Sequence, residues 1–403
     1  MNLYSLYLHI PFCRHRCAYC DFNTYAGMDD LIGDYTRALC REIEHASARF
    51  PTQAEVHTLF FGGGTPSLLP LADLDRILTT ARAGFSFTDD CEITLEANPG
   101  TISLDYLRGL RALGVNRLSM GMQSADPGDL RVLERIHDFF DVVNAVKWAR
   151  QAGFENINLD LIFGLPYQTL ASWQKTLDLA VGLNPDHLSV YSLILEHGTP
   201  MNAWVERGLL TEPDEDLAAS MYEWAMERLP LAGYAHYEIS NWARRDTHGQ
   251  VKACRHNLQY WYNQPYLGLG AGAHGFAGGV RTANVRAPRA YVERLADSAS
   301  QQTNKPTNQP HNPAFPRTPA TINATQIDRF TEMQETMMVG LRLVEEGVNL
   351  PRFAARFGER AEDVFAKEFG ELVEGGLLEV DEDRVRLTSR GRMMGNQVFM
   401  QFV

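Results

Sequence analysis

From Leu6 to about Leu231 short β-rich runs alternate with longer helical patterns, and this alternation restricts the fold more than any other feature of the chain. The strand candidates are Leu6 to Ile10, Thr58 to Phe61, Glu92 to Glu96, Arg117 to Met120, Ile157 to Ile162 and His187 to Leu193. Between them lie stretches such as Asp30 to Phe50, where Leu31, Tyr35, Leu39 and Ile43 mark one helical face. Leu71 to Ala83 does the same with Leu71, Leu74, Ile77 and Leu78. Six βα units in series imply a parallel sheet, since parallel neighbours need a long crossover. Right-handed crossovers curl that sheet, and six units rather than eight predict an α/β fold built on an open, partial (βα)6 barrel. Functional residues are then expected where the strands end at their carboxyl edge.

The first strand candidate runs through Pro11-Phe12 into Cys13-Arg14-His15-Arg16-Cys17-Ala18-Tyr19-Cys20. Three thiolates this close, on a loop leaving a strand, can hold three irons of a 4Fe-4S cluster while one iron keeps no protein ligand. A structural zinc site competes, but it wants four closed ligands and would have to draw on His15 or Asp21. Cys40, beside Leu39 and Ile43, and Cys91, just before a strand, read as small packing residues. With three of six Cys clustered in a 403-residue chain, a secreted disulfide framework is disfavoured and a reducing compartment expected. No signal-peptide pattern or membrane-spanning apolar run is present, so the expected location is cytoplasmic.

The other strand ends carry their own punctuation. The second ends at Gly62-Gly63-Gly64-Thr65-Pro66, the third at Glu96-Ala97-Asn98-Pro99 and the fourth at Gln123-Ser124. The fifth carries Asp160 into Gly164-Leu165-Pro166. Singly these are weak, because glycines serve any tight turn and a lone carboxylate is most often solvated or ion-paired. Placed together around a barrel mouth with the cysteine loop, they point to a binding pocket.

The spacing C-x3-C-x2-C, with Tyr19 before the last Cys, resembles the signature of the radical S-adenosylmethionine (SAM) family. The resemblance implies that the amino and carboxylate groups of SAM chelate the open iron. One electron then cleaves the sulfonium to a 5′-deoxyadenosyl radical. The set Tyr7-Leu8-His9-Ile10-Pro11-Phe12-Cys13, Gly62 to Pro66, Ser119-Met120-Gly121-Met122-Gln123 and Asp160 to Pro166 is similar to one branch of that family. This branch holds the oxygen-independent coproporphyrinogen III dehydrogenases and a group of haem chaperones. The resemblance implies Cys13, Cys17 and Cys20 as cluster ligands, and Tyr7, Tyr19, Gly63, Gly64, Thr65, Glu96, Gln123, Arg135 and Asp160 as the SAM site. The chemistry of these residues agrees. Glycine lets backbone carbonyls approach an ammonium, Glu96 can accept from both ribose hydroxyls, and Gln123 and Arg135 can donate to a carboxylate or nucleoside.

Beyond the sixth unit come a helix from Leu217 to about Leu229, a strand-like Tyr237 to Ser240, and Cys254-Arg255-His256-Asn257-Leu258-Gln259-Tyr260-Trp261. Gly268, Gly270, Gly272 and Gly275, with Ala271, Ala273 and His274 among them, read as a tight loop, since no strand-to-helix unit with a downstream acid accompanies them. Residues 298–326 hold Pro306, Pro310, Pro313, Pro316 and Pro319 among Asn, Gln and Thr, and read as a linker or disordered insertion. Helical patterns over Phe330 to Leu343, Leu350 to Phe357 and Ala361 to Glu374 then precede a hairpin-like Leu377 to Leu387 and a final helix, a winged-helix-like order. The expected domains are therefore 1–240 (barrel), 241–297 (extension), 298–326 (linker) and 327–403 (C-terminal domain).

Net charge is −13, from 37 basic and 50 acidic residues, and residues 327–403 carry 10 basic against 15 acidic side chains. Neither balance suits a phosphate-backbone partner, so a nucleic-acid reading of the winged helix, or an RNA-modifying activity, is disfavoured. Three departures favour the haem-chaperone group over the dehydrogenases. The dehydrogenase pattern continues to a further Cys where Phe22 stands here; only twelve residues precede Cys13; and His256 to Trp261 matches the HNxxYW pattern of the chaperones. His256 or Cys254 could ligate iron, with Asn257, Tyr260 and Trp261 against a porphyrin. The partners so implied are haem, a haem donor and acceptor haemoproteins, including transient contact with membrane haemoproteins. The chain is expected as a monomer or dimer, and turnover of a substrate is left open.

Overall fold

The computed structural model describes residues 2–296 and 314–403. Six strands run parallel and side by side: β1 Asn2–Ile10, β2 Ala54–Gly63, β3 Phe87–Ala97, β4 Arg117–Gln123, β5 Ile157–Phe163 and β6 His187–Ser192. Helices follow them in turn, among them α1 Ile32–Ser47, α2 Leu71–Gly84, α3 Leu104–Ala112, α4 Phe139–Gln151, α5 Leu170–Gly182 and α6 Glu215–Leu231. Strand alternation separates two roles. Leu6, Leu8 and Ile10 of β1 are fully buried in the core that α1 shares through Tyr35, Leu39 and Ile43, whereas Tyr7 and His9 between them line a cavity. Cys91 lies inside β3 rather than before it, and both it and Cys40 are buried.

The sheet does not stop at six strands. On the β6 side it gains β7 Tyr234–Glu238 and β8 Asn241–Arg244, with β8 antiparallel to β6. On the β1 side β9 Tyr266–Leu269 runs parallel to β1, with Ser5 opposite Tyr266 and Leu8 opposite Leu269. Then β10 His274–Ala277, β11 Val280–Asn284 and β12 Thr321–Gln326 follow antiparallel, completing twelve strands. The tight loop expected at Gly268 to Gly275 is the β9–β10 hairpin. These strands are four to six residues long with mixed polarity, too short for a period of two to stand out.

The Pro-rich linker expected through residue 326 does not extend that far. Thr318 and Ala320 are buried, and β12 pairs with β11 from Asn284 opposite Thr321 to Val280 opposite Gln326. Residues 298–313 of that stretch lie outside the described residues. Glu42 of α1 ties the extension to the barrel. One oxygen accepts from the Gly270 amide at 2.7 Å and the Tyr291 hydroxyl at 2.6 Å. The other accepts from Asn284 at 2.7 Å and Thr318 at 2.6 Å.

The C-terminal domain has its own core of Met337, Phe353, Phe357, Leu372 and Leu387 beneath an antiparallel three-stranded sheet of Val348–Asn349, Arg384–Leu387 and Leu378–Val380. Helices, hairpin and final helices follow in winged-helix-like order. It docks on β7 through Val344 N to Tyr237 O at 3.0 Å, and on the turn that follows β7 through Ile239 N to Arg342 O at 3.1 Å.

Candidate functional site

The cysteine loop leaves β1 at the carboxyl edge and is met there by the turn after β2. The Thr65 amide donates to Phe12 O at 2.8 Å, and the Gly64 amide to Ile10 O at 2.8 Å. Thr65 Oγ1 lies 3.6 Å from Cys13 Sγ, Arg135 Nη1 lies 3.5 Å from Cys17 Sγ, and Thr24 Oγ1 lies 3.8 Å from Cys20 Sγ. Burial pushes the Cys13 and Cys20 thiols up, and repulsion from Cys17 adds to it in both. His15, exposed, points its Nε2 at Glu134 Oε2, 3.4 Å away, rather than toward the thiols. Among the described residues no three His, Cys, Asp or Glu side chains converge as a single-ion site. Three soft sulfurs, each flanked by a hydrogen-bond donor, fit a polynuclear iron-sulfur cluster.

Next to the loop, β3 and β4 end in a connected set. Arg135 donates from Nη2 to Gly121 O at 2.9 Å and to Asn98 Oδ1, and Asn98 Nδ2 donates to Thr65 Oγ1 at 3.0 Å. The Arg135 Nε is buried without a partner, a donor left for a ligand. Gln123 is buried with a left-handed φ of 64°. Tyr19 lies near Arg135 and Asp160, its hydroxyl pushed up by burial. Asp160 accepts from Asn158 at 2.8 Å and Ser119 at 3.2 Å.

Gly63 closes β2 with φ +113°, and a side chain there would bring a Cβ to 2.5 Å from the His9 ring. Its amide donates to Glu96 Oε2 at 3.0 Å. Burial, with Asp160 beside it, pushes the Glu96 carboxyl up to about 8. Tyr7 OH lies 3.0 Å from His9 Nδ1, and His9 Nε2 lies 2.9 Å from the Asn23 carbonyl. A carbonyl only accepts, so Nε2 carries the proton and Nδ1 accepts from Tyr7. An open acceptor on Glu96 and an unpaired donor on Arg135 fit the ribose and the carboxylate of SAM, while the bare Cα of Gly63 makes room for the His9 ring.

Tyr7, Gly63 and Glu96 face a cavity of about 660 Å³. Phe22 and Asn23 of the cysteine loop reach it, as do residues of the extension strands and Tyr260. Tyr260 belongs to helix α7, Arg255–Trp261, whose first amides are capped by Glu92: Arg255 N at 3.2 Å and His256 N at 3.1 Å. Cys254 is fully buried with its sulfur 3.6 Å from Glu92 Oε1, and burial pushes its thiol up to about 12. His256 is buried as well, Nδ1 at 2.8 Å from Thr58 Oγ1 and Nε2 at 3.0 Å from Tyr260 OH, with its ring stacked on Phe60. Both nitrogens of His256 are therefore engaged, and neither it nor Cys254 offers iron an open ligand. Asn257 is half-buried, and Trp261 turns to the C-terminal domain, where the Arg342 guanidinium stands 4.5 Å over its ring.

The chain is similar to known proteins over nearly its whole length. The family model for the radical SAM superfamily matches residues 7–180, and that for the HemN C-terminal domain matches residues 327–394. The Heme chaperone HemW of Bacillus subtilis (strain 168) is 36% identical over 400 residues, 99% of each chain. The chain belongs to the HemW family. The Heme chaperone HemW of Escherichia coli (strain K12) is 34% identical, covering 99% of this chain and 98% of that one. The solved structure of coproporphyrinogen III oxidase (HemN) from Escherichia coli, a radical SAM enzyme, matches with a TM-score of 0.80 at 27% identity, over 100% of this chain and 90% of that one. This radical SAM fold, which the HemW family shares with HemN, implies a 4Fe-4S cluster and SAM. No helix among the described residues is long and apolar enough to cross a membrane.

Three further residues, His9, Asn98 and Glu92, act at this site although the sequence pattern assigns them no role. His9 had a signal, standing two residues from Tyr7 on the same strand face. Asn98 and Glu92 act through partners 33 and more than 160 residues away in the chain, which no local pattern encodes.

Proposed function

We propose that the chain is a haem chaperone that binds haem, a 4Fe-4S cluster through Cys13, Cys17 and Cys20, and SAM, and that it delivers haem to acceptor haemoproteins. One observation carries the reading: a single cavity joins Tyr7, Gly63 and Glu96 at the SAM edge to Tyr260 of the His256–Trp261 helix. The names of the relatives and Phe22 in place of a further Cys support the same reading.

When bound, the cluster and SAM supply one-electron chemistry at the open iron. The chain's residues do the holding. In this reading Glu96 takes the ribose and Arg135 a carboxylate, and Tyr7, Tyr19, Gly64, Thr65, Gln123 and Asp160 complete the SAM site. Haem reaches its acceptors by transient contact, in the cytoplasm, from a monomer or dimer.

The similarity to HemN favours a second reading, a coproporphyrinogen III dehydrogenase. Anaerobic reconstitution followed by haem titration and a coproporphyrinogen assay separates the two. Haem binding without decarboxylation is expected; decarboxylation without haem binding would replace the chaperone reading.

A further inference from the structure

Resting on the reading that haem is the cargo, we infer that haem seats on the extension side of the cavity, with His274 as its iron ligand and Arg286 holding a propionate. A metalloporphyrin asks for three things at once: a neutral nitrogen for the iron, cations for edge carboxylates, and flat apolar walls. The cavity, about 660 Å³, falls within the roughly 300–1,000 Å³ of ligand pockets.

Two histidines line it. His9 is committed to Tyr7 and Asn23, whereas the His274 ring is exposed and, among the described residues, makes no hydrogen bond or ion pair. Its position depends on Gly268, the facing residue of β9, where a Cβ would fall 1.7 Å from the His274 carbonyl oxygen. The glycines that suggest a tight loop in the sequence thus let β10 close on β9 and set an imidazole at the rim.

Arg286 supplies the cation. Its backbone carbonyl is pinned by Asn23 Nδ2 at 2.9 Å and Tyr25 OH at 3.3 Å, while its exposed guanidinium has no ion-pair partner among the described residues. The nearby Arg281 and Arg289, by contrast, are paired to Glu335 and Asp30. Tyr260 and Tyr266 wall the cavity edge to face, 4.7 Å between centroids. Phe22 and Ile322 also line it while remaining 65% and 54% exposed, apolar surface that a macrocycle would cover. His256 then acts as a positioning residue, holding the Tyr260 hydroxyl, and the Gly63–Glu96 end is left to SAM.

The test titrates ferric haem into the anaerobically reconstituted full-length chain, following absorption, EPR and iron-sulfur content. His274→Ala and His274→Gln should weaken haem binding at least about tenfold and alter the haem spectrum, with added imidazole restoring it in the Ala variant and cluster content unchanged. Arg286→Gln should weaken haem severalfold yet leave the dimethyl ester of haem bound as tightly as in wild type. If both His274 variants keep the wild-type affinity and spectrum, or if His256→Ala alone abolishes the imidazole signature, the ligand assignment is wrong while haem binding stands. Wild type that binds no haem would instead overturn the chaperone reading, and the seat with it.

Discussion

The Thr65 hydroxyl joins Cys13 to Asn98: Oγ1 lies 3.6 Å from the Cys13 sulfur and accepts from Asn98 Nδ2 at 3.0 Å. The turn after β2 therefore touches the cysteine loop directly, and through Asn98 the same connection reaches Arg135 and Cys17. A hydrogen bond to a cluster sulfur favours the more negative, reduced state. Thr65→Val should lower the cluster potential by roughly 20–60 mV, from a hydrogen bond of about 0.5–1.5 kcal/mol. An EPR-monitored redox titration reads it, and an unchanged potential would show the contact to be incidental.

Replacing Cys13, Cys17 and Cys20 together with Ala should abolish iron incorporation and its visible absorbance. Cys40 and Cys91, buried in the core, should tolerate Ala with cluster content intact. Iron and sulfide analysis after anaerobic reconstitution checks both; a triple variant that retains its cluster removes the assignment.

Glu96, pushed up to about 8 by burial with Asp160 nearby, holds a proton at neutral pH in the unliganded protein. Ribose hydroxyls donate best to the ionised form, so SAM affinity should rise as pH climbs through about 8, and Glu96→Gln should flatten that dependence. Glu96→Ala should cost roughly 1–3 kcal/mol of SAM binding by calorimetry. The stability sign is the opposite. A raised carboxyl stabilises the fold below the ordinary carboxylate range, and that contribution is lost as pH rises through about 8.

Glu42 gathers four donors from Gly270, Asn284, Tyr291 and Thr318 around a fully buried carboxylate. Glu42→Ala should lower stability by roughly 2–5 kcal/mol, because those donors lose their acceptor inside the core. Thr318→Val should cost about 1–3 kcal/mol. A deletion ending before residue 314 should spare this contact, and one running through β12 should not. Urea denaturation ranks the four; a Glu42→Ala variant as stable as wild type would sink the anchoring role.

The six βα units, the cysteine loop and the polar strand ends were legible because each is a local pattern. Apolar periodicity reports which face of a helix or strand is buried, and C-x3-C-x2-C places three thiols on one loop whatever surrounds it. The sequence alone therefore determined the six βα units, the loop that gathers three thiols and the carboxyl edge at which the polar strand ends collect. Which atoms meet is another matter, since it depends on residues brought together from far apart in the chain. Only the tertiary structure decided that β9 to β12 extend the sheet beside β1, because those short strands gain their stability from pairing and from Glu42 rather than from a pattern of their own. It also buried His256 between Thr58 and Tyr260, since a helix capped by Glu92 turns that imidazole inward, and left His274 facing the cavity from a hairpin that Gly268 allows to close.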